Sequence, residues 1–275
     1  MLGVNRTSFY DWERRPPSDR ALTDAWLTEK IKQIHKANRG VYGAPRIHAE
    51  LRLEHGIRVG RKRVARLMKA AGVAGVKQRK RWRTTIRVPG VEPATDLVDR
   101  DFRPAGPNVL WVADITYLRS GEGWLYLAAV QDTYSRQIVG WSMATHMRAT
   151  LVVDALQMAL GRRRPAPGLI HHSDQAANTS ASRSGALRGR PGSRSRWAHA
   201  GTPTTTRDVL RDAQEELVNR RSWPSRLELQ SAVFECIEAF CNRQRRHSTL
   251  GMVSPAEYEQ TQTTATSIKI KQPTT

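Results

Sequence analysis

At 275 residues the chain can hold one sizeable core and a smaller domain, taking roughly 100–200 residues per domain. Its 45 Lys and Arg against 25 Asp and Glu give a formal net charge of +20, and so basic a surface repels itself unless an anion neutralises it, which points to nucleic acid over a merely basic protein. The two cysteines, Cys236 and Cys241, exclude a disulfide framework and a paired zinc spacing, and no membrane span or signal-peptide apolar region is present, so the protein is expected in the cytoplasm with no membrane partner.

The predicted elements begin with helices. Residues 21–38 carry Leu22, Trp26, Leu27, Ile31 and Ile34 near helical spacing. A turn, Arg39-Gly40-Val41-Tyr42-Gly43-Ala44-Pro45, leads to a second helix over 46–55, with Ile47, Leu51 and Leu53 apolar. A third helix over 61–71 is closed by Gly72. Its face of Arg61, Lys62, Arg63, Arg66 and Lys69 is basic, while Val64, Leu67 and Met68 can pack inward. Short helices with Gly-containing turns and a basic last helix suit a helix-turn-helix reader of the major groove. A small helical bundle with a solvated basic face is the plainer alternative.

Residues 77–105 read as a linker. Its run Lys77-Gln78-Arg79-Lys80-Arg81-Trp82-Arg83 can track phosphates through Lys80 and Arg81 and stack a base on Trp82, or can simply be solvated. Strands follow at 109–113, 124–130 and 137–142, separated by short turns that imply antiparallel pairing. A helix over 150–163 and a buried strand over 168–172 complete a mixed α/β sheet. A further helix over 226–240 presents Leu227, Leu229, Val233, Phe234, Ile237 and Phe240 to a core or a subunit interface. Cys236 and Cys241 lie within it and read as core packing.

Asp114 and Asp174 each follow an apolar strand, so each is expected to project from a strand end. Two such carboxylates on adjacent strands can share a divalent cation, and hard oxygen ligands suit Mg²⁺ or Mn²⁺. Taken alone, an Asp at a strand end is more often a turn or cap residue. His171 and His172 beside Asp174 read as strand-end packing before metal or phosphate contact. Arg245, Arg246 and His247, with Arg243, form a basic cluster that fits DNA backbone contact or a solvated helix end.

Several motifs in order resemble those of integrase-type transposases of bacterial insertion sequences. They are Gly40-Val41-Tyr42-Gly43-Ala44-Pro45-Arg46-Ile47, Trp111-Val112-Ala113-Asp114-Ile115-Thr116-Tyr117, Gly123-Trp124-Leu125-Tyr126-Leu127, Ser135-Arg136-Gln137-Ile138-Val139-Gly140-Trp141 and His171-His172-Ser173-Asp174-Gln175. Near the C-terminus, Asn242 to Gly251 resembles the family's Y-N-x-x-R-x-H-x-x-L-G with Cys241 in place of Tyr, and Ser254-Pro255-Ala256-Glu257-Tyr258 resembles S-P-x-x-Y. The resemblance implies a ribonuclease H-like mixed-sheet core after a small all-α helix-turn-helix-like domain. It also implies catalytic, Mg²⁺- or Mn²⁺-binding Asp114 and Asp174, cutting and joining of element-end and target DNA, a homo-oligomer, and no small-molecule substrate. The expected divisions are 1–76 for the helical domain, 77–105 for the linker, 106–260 for the core and 261–275 for a disordered tail. The start, Leu2 to Tyr10, resembles the inside of a helix-turn-helix whose beginning is missing.

The resemblance fails at one place. The family's third acid, a Glu preceded by Y-D-N, is expected near Leu210, but the local sequence is Thr204-Thr205-Thr206-Arg207-Asp208-Val209-Leu210. From about 176 to 214 the chain is rich in Arg, Ser, Gly, Thr, Ala and Pro, and apolar periodicity disappears. The family's Gln-Tyr-Thr, as CAA TAC ACN, read one base late gives Asn-Thr, and Asn178-Thr179 stand there. Its Gly-Asp-Ala-Tyr-Asp-Asn, as GGG GAC GCC TAC GAC AAC, read in that same frame gives Gly-Thr-Pro-Thr-Thr, and Gly201-Thr202-Pro203-Thr204-Thr205 stand there. Two compensating frameshifts, near Gln175 and Gln214, account for both landmarks; a true low-complexity basic insert is the rival. With the frameshifts the third carboxylate is expected to be lost and one sheet face to lose its cover; with a true insert, Asp208, Glu215 and Glu216, weak substitutes by position, are the acids left to test.

Overall fold

The computed structural model describes residues 6–76, 104–173, 196–198, 210 and 214–271. The chain divides into two compact units, Met1–Lys77 and Gln78–Thr275. In the first, helices α1 (Arg6–Arg14), α2 (Asp19–Ala37), α3 (Ala44–Leu53) and α4 (Arg61–Ala70) follow one another. The Ser18 hydroxyl accepts from Ala21 N at 3.3 Å and starts α2, with Asp19 placed against the positive end of the helix dipole. Leu27, Ile31 and Ile34 of α2, Ile47 and Leu51 of α3, and Val64, Leu67 and Met68 of α4 form the buried core. After α4 the chain returns over the turn before α3. Gly75 lies so close on the backbone of Gly43 and Tyr42 that a Cβ has no room there. Val76 N then donates to Val41 O at 3.2 Å.

The second unit is built on a five-stranded sheet of order β3-β2-β1-β4-β5. Its strands are β1 (Leu110–Ser120), β2 (Gly123–Asp132), β3 (Ile138–Ala144), β4 (Ile170–Ser173) and β5 (Arg196–Ala198). β1 and β2 pair antiparallel from Trp111↔Asp132 to Ser120↔Gly123, and β2 pairs antiparallel with β3. β1 pairs parallel with β4 from Leu110↔Ile170 to Ala113↔Ser173, and β4 pairs parallel with β5. A parallel neighbour requires a crossover, and α5 (Ala149–Arg163) supplies it between β3 and β4. This is the mixed sheet of a ribonuclease H-like core.

Alternation along the strands divides the sheet into two apolar faces. Trp111, Ala113, Ala128, Val130 and Val139 pack under α5 with Leu151, Val152, Ala155, Leu156 and Ala159. Gly140 lets α5 approach, because a Cβ there would meet Ala155 O and Ala159. On the other face Leu118, Leu125, Leu127, Ala129 and Ile138 are buried with Leu210, Val218 and Trp223 and with Leu229, Val233 and Ile237. Those last three belong to α6 (Arg226–Glu235) and to the π-turn Cys236–Cys241 that follows it. The expectation that this face loses its cover is therefore corrected. Leu210, the segment around Trp223, and α6 together bury these leucines. The π-turn brings the Cys236 and Cys241 sulfurs within 3.2 Å in the core, so the pair packs there as expected.

The last helix, α7 (Pro255–Lys271), replaces most of the expected tail. The hydroxyls of Thr261, Thr263 and Thr264 donate to carbonyls four residues back, which satisfies them within a helix. Among the described residues no helix is long and apolar enough to cross a membrane.

Asn242 ties the C-terminal elements to the sheet edge. Its Oδ1 accepts from Ile138 N at 2.9 Å and its Nδ2 donates to Ile138 O at 3.0 Å, all in a buried setting. One primary amide thus completes both backbone groups at the start of β3. Asn242→Ala leaves two buried groups without partners and should destabilise this unit by about 2–4 kcal/mol in urea denaturation. Asn242→Asp should also destabilise it, since a carboxylate can take the N–H but faces the carbonyl.

Candidate functional site

Asp114 does not end its own strand. β1 runs on to Ser120, because its antiparallel pairing with β2 continues to Ser120↔Gly123. What ends there is β4, whose last register pair is Ala113↔Ser173. From Asp114 onward β1 is bonded, among the described strands, to β2 alone. Asp114 is half-buried, opposite Ala129, and its Oδ1 accepts from Ile115 N at 3.0 Å. Thr116 is two residues on and shares its face, and the Thr116 hydroxyl donates to Gln214 Oε1 at 3.4 Å. Asp174, the residue after Ser173, lies outside the described residues, as do Asp208, Lys80 and Arg81. His171 and His172 are buried in β4.

Among the described residues no three His, Cys, Asp or Glu side chains gather to hold a metal ion. Asp114 offers two hard oxygens, which suit Mg²⁺ or Mn²⁺, but one carboxylate does not hold the pair of ions that phosphodiester transfer uses. A groove of about 690 Å³ between β3, α5 and α7, lined by Arg162, Arg163, Arg243, Glu238 and Glu257, does not include Asp114.

On α4, Arg61, Lys62, Arg66 and Lys69 are exposed and Arg63 is half-buried. Asp24 of α2 organises two of them. Arg63 Nε donates to its Oδ1 at 2.7 Å and Arg66 Nη2 to its Oδ2 at 2.6 Å. The Arg66 hydrogen bond, and then that of Arg63, holds the Asp24 carboxyl below the usual range. Sequence reasoning missed Asp24, although its helix was legible, because the contact joins residues about forty apart. It missed Asp132 as well. This carboxylate is buried at the end of β2, where it accepts from Asn108 N at 2.7 Å and Tyr134 N at 2.9 Å. Burial pushes its pKa up.

Two of the C-terminal cluster, Arg245 and Arg246, face inward, which corrects their expectation on a phosphate or a solvated helix end, while Arg243 is exposed. Arg245 is 2% and Arg246 3% exposed. Arg245 donates from Nε and Nη2 to Glu216 Oε2 and Oε1 at 2.8 and 2.7 Å, and Arg246 Nη1 donates to Met252 O at 2.8 Å. His247 is half-buried, with Nε2 at 3.3 Å from Arg245 Nη1. A fork-to-fork pair with Glu216 fixes the Arg245 guanidinium in the interior. It also occupies both Glu216 oxygens, and Glu215 beside it is half-buried. Glu216→Ala strands a buried guanidinium and should cost about 3–5 kcal/mol in thermal or chemical denaturation, while Glu216→Gln should cost less.

The chain matches the family models of an HTH-like domain over residues 21–81 and of an integrase core domain over residues 104–216. The 31 kDa protein of insertion element IS600 from Shigella sonnei is 38% identical over 263 residues, 94% of this chain and 96% of that one. The transposase of insertion sequence IS904 from Lactococcus lactis is 34% identical, across 89% of this chain and 98% of its own. The transposase InsF of insertion sequence IS3A from Escherichia coli is also 34% identical, across 94% and 91%. Among solved structures, the HTLV-2 integrase catalytic core domain in complex with magnesium aligns at 13% identity and a TM-score of 0.39, over 57% of this chain and 99% of that one. The simian T-cell lymphotropic virus intasome aligns at 12% and 0.45, over 83% and 72%. With both domain families present in order and relatives matched over nearly their full length, the chain belongs to the integrase-core transposases of bacterial insertion sequences, of the IS3 and IS600 type.

Proposed function

We propose that this transposase still binds DNA but has impaired strand cleavage and joining. The observation that carries this reading is in the sequence, where the family's third acid, a Glu preceded by Y-D-N, is replaced by Thr204-Thr205-Thr206-Arg207-Asp208-Val209-Leu210. Glu216, one of the weak substitutes, has both oxygens bound by Arg245. Asp114 and Asp174 are the residues assigned to Mg²⁺ or Mn²⁺. When bound, such ions activate the attacking oxygen and stabilise the leaving one. The parallel register supports the assignment, because the residue after Ala113 and the residue after Ser173 are both aspartates.

DNA binding is assigned to the helical domain, residues 1–76. α4 enters the major groove, with Arg61, Lys62 and Lys69 on phosphates and Arg63 and Arg66 oriented by Asp24. Lys80 and Arg81 of the 77–105 linker extend that track. His247 is a weaker candidate at the surface of the 106–260 core. Element-end and target DNA are the assigned partners, held by a homo-oligomer in the bacterial cytoplasm, and an inactive copy of this kind competes with active ones for DNA. Paired frameshifts bounding 176–214 are the assigned origin of the impairment.

Two experiments test this. Sequencing the coding DNA should show that a one-base shift between Gln175 and Gln214 restores Q-Y-T, Y-D-N and the Glu; a true insert would restore none of them. A labelled duplex of the flanking DNA should be retarded by the full chain yet remain uncut at any Mg²⁺ or Mn²⁺ level. Metal-dependent cleavage that Asp114→Asn abolishes would overturn the impairment. Replacing Arg61, Lys62 and Lys69 with Ala should lower the magnitude of the log–log salt slope by about 2–3, at about 0.9 per phosphate contact.

A further inference from the structure

We propose that Tyr117 and Trp124, on the β1–β2 hairpin, form a stacking platform for unpaired nucleobases, an inference that rests on the reading that the chain handles DNA. Tyr117 is 59% and Trp124 47% exposed. Their rings meet edge to face, with centroids 5.4 Å apart and planes at 89°. Strand alternation puts them outside. Leu118, Leu125 and Leu127 turn into the α6-side core, so Tyr117, Arg119 and Trp124 take the opposite face. There α5 covers Trp111, Ala113, Ala128 and Val130, and Ile115 and Tyr126 are partly buried, but the cover does not reach Tyr117 and Trp124.

The surroundings select a nucleic acid. Arg119 is exposed and stands directly opposite Trp124 in the register, where it can meet a phosphate. Glu122, in the turn of the same hairpin, accepts from Arg226 N at 2.9 Å. Two rings bury at most about 500 Å² between them, below the roughly 800 Å² that each partner contributes to a stable protein interface, whereas one or two bases cover such a platform fully. Bases in a duplex hide their faces in the stack, so the platform takes unpaired ones. Tyr117 is three residues from Asp114, about 10 Å along β1, on the length that extends past β4. Alternation puts Asp114 on the Leu118 side of the sheet and the two rings on the other, so the platform takes its base independently of a phosphate at that carboxylate.

The test uses the full chain without divalent metal, so catalysis plays no part. The probes are a blunt duplex, the same duplex with a short single-stranded extension on either strand, and the same extension made abasic. One extended duplex should bind roughly fivefold or more tightly than both the blunt and the abasic ones. Tyr117→Ala/Trp124→Ala should abolish that preference and leave blunt-duplex binding unchanged, while Tyr117→Phe/Trp124→Phe keeps it. Equal binding of all probes by the unaltered protein overturns the proposal, and that comparison decides even where the alanine pair fails to fold. A preference that survives the alanine pair overturns it too, as does a dimer in sedimentation that the alanine pair dissolves, which would make the platform a protein contact. Failure to bind even the blunt duplex overturns the DNA reading itself, a distinct result.

Discussion

The parallel pairing of β1 with β4 sets the geometry of the core. It lasts only from Leu110↔Ile170 to Ala113↔Ser173, and its end defines the place where Asp114 stands. In the antiparallel half of the sheet, pairing continues through the whole of β1, so the strand stays straight and supported past that point. Asp114 thus stands where β1 is bonded, among the described strands, to β2 alone. A rigid backbone positions a functional carboxylate better than a loop does. The same extension carries Thr116 toward Gln214 and Tyr117 toward the opposite face.

Polar clamps from the C-terminal segment hold that sheet together. Asn242 completes the backbone of Ile138 at the outer strand, and Trp141 Nε1, on the same strand, donates to Glu238 at 2.8 Å. Arg163, at the end of α5, reaches Glu259 of α7 with both terminal nitrogens and Gln137 with one. Each clamp joins residues far apart in sequence. A buried polar group left alone costs more than its hydrogen bond contributes, so these contacts specify one arrangement of α6, the π-turn and α7 against the sheet.

What was legible in the sequence followed local periodicity. The spacing of Leu27, Ile31 and Ile34 predicts α2, and the apolar run from Trp124 to Val130 after the Gly121-Glu122-Gly123 turn predicts β2. β1 was read as ending at Asp114 because its apolar run ends there; cross-strand pairing, invisible in one strand, extends it to Ser120. Arg245 and Arg246 read as a basic surface because sequence shows charge and not partners. Glu216, which neutralises Arg245, lies 29 residues earlier. The covered second face was missed for a similar reason: Trp223 and α6 contribute packing that was credited to the stretch before 214. The place of Asp114 after the apolar run of β1 is legible, whereas the pairing of Glu216 with Arg245, 29 residues on, is not.

The internal ion pairs sharpen the argument from charge. Each pair removes one acid and one base, so burying Arg245 with Glu216, or tying Arg163 to Glu259, leaves the surplus of +20 untouched. Asp24 goes further, since one carboxylate serves both Arg63 and Arg66 and concentrates a net positive charge on α4. The surplus must then reside on side chains that no acid matches, and their mutual repulsion opposes the compact state. A polyanion that binds the folded chain relieves that repulsion and stabilises the fold by mass action. DNA binding and folding are on this account coupled, and the coupling is independent of whether the core can still cut a strand.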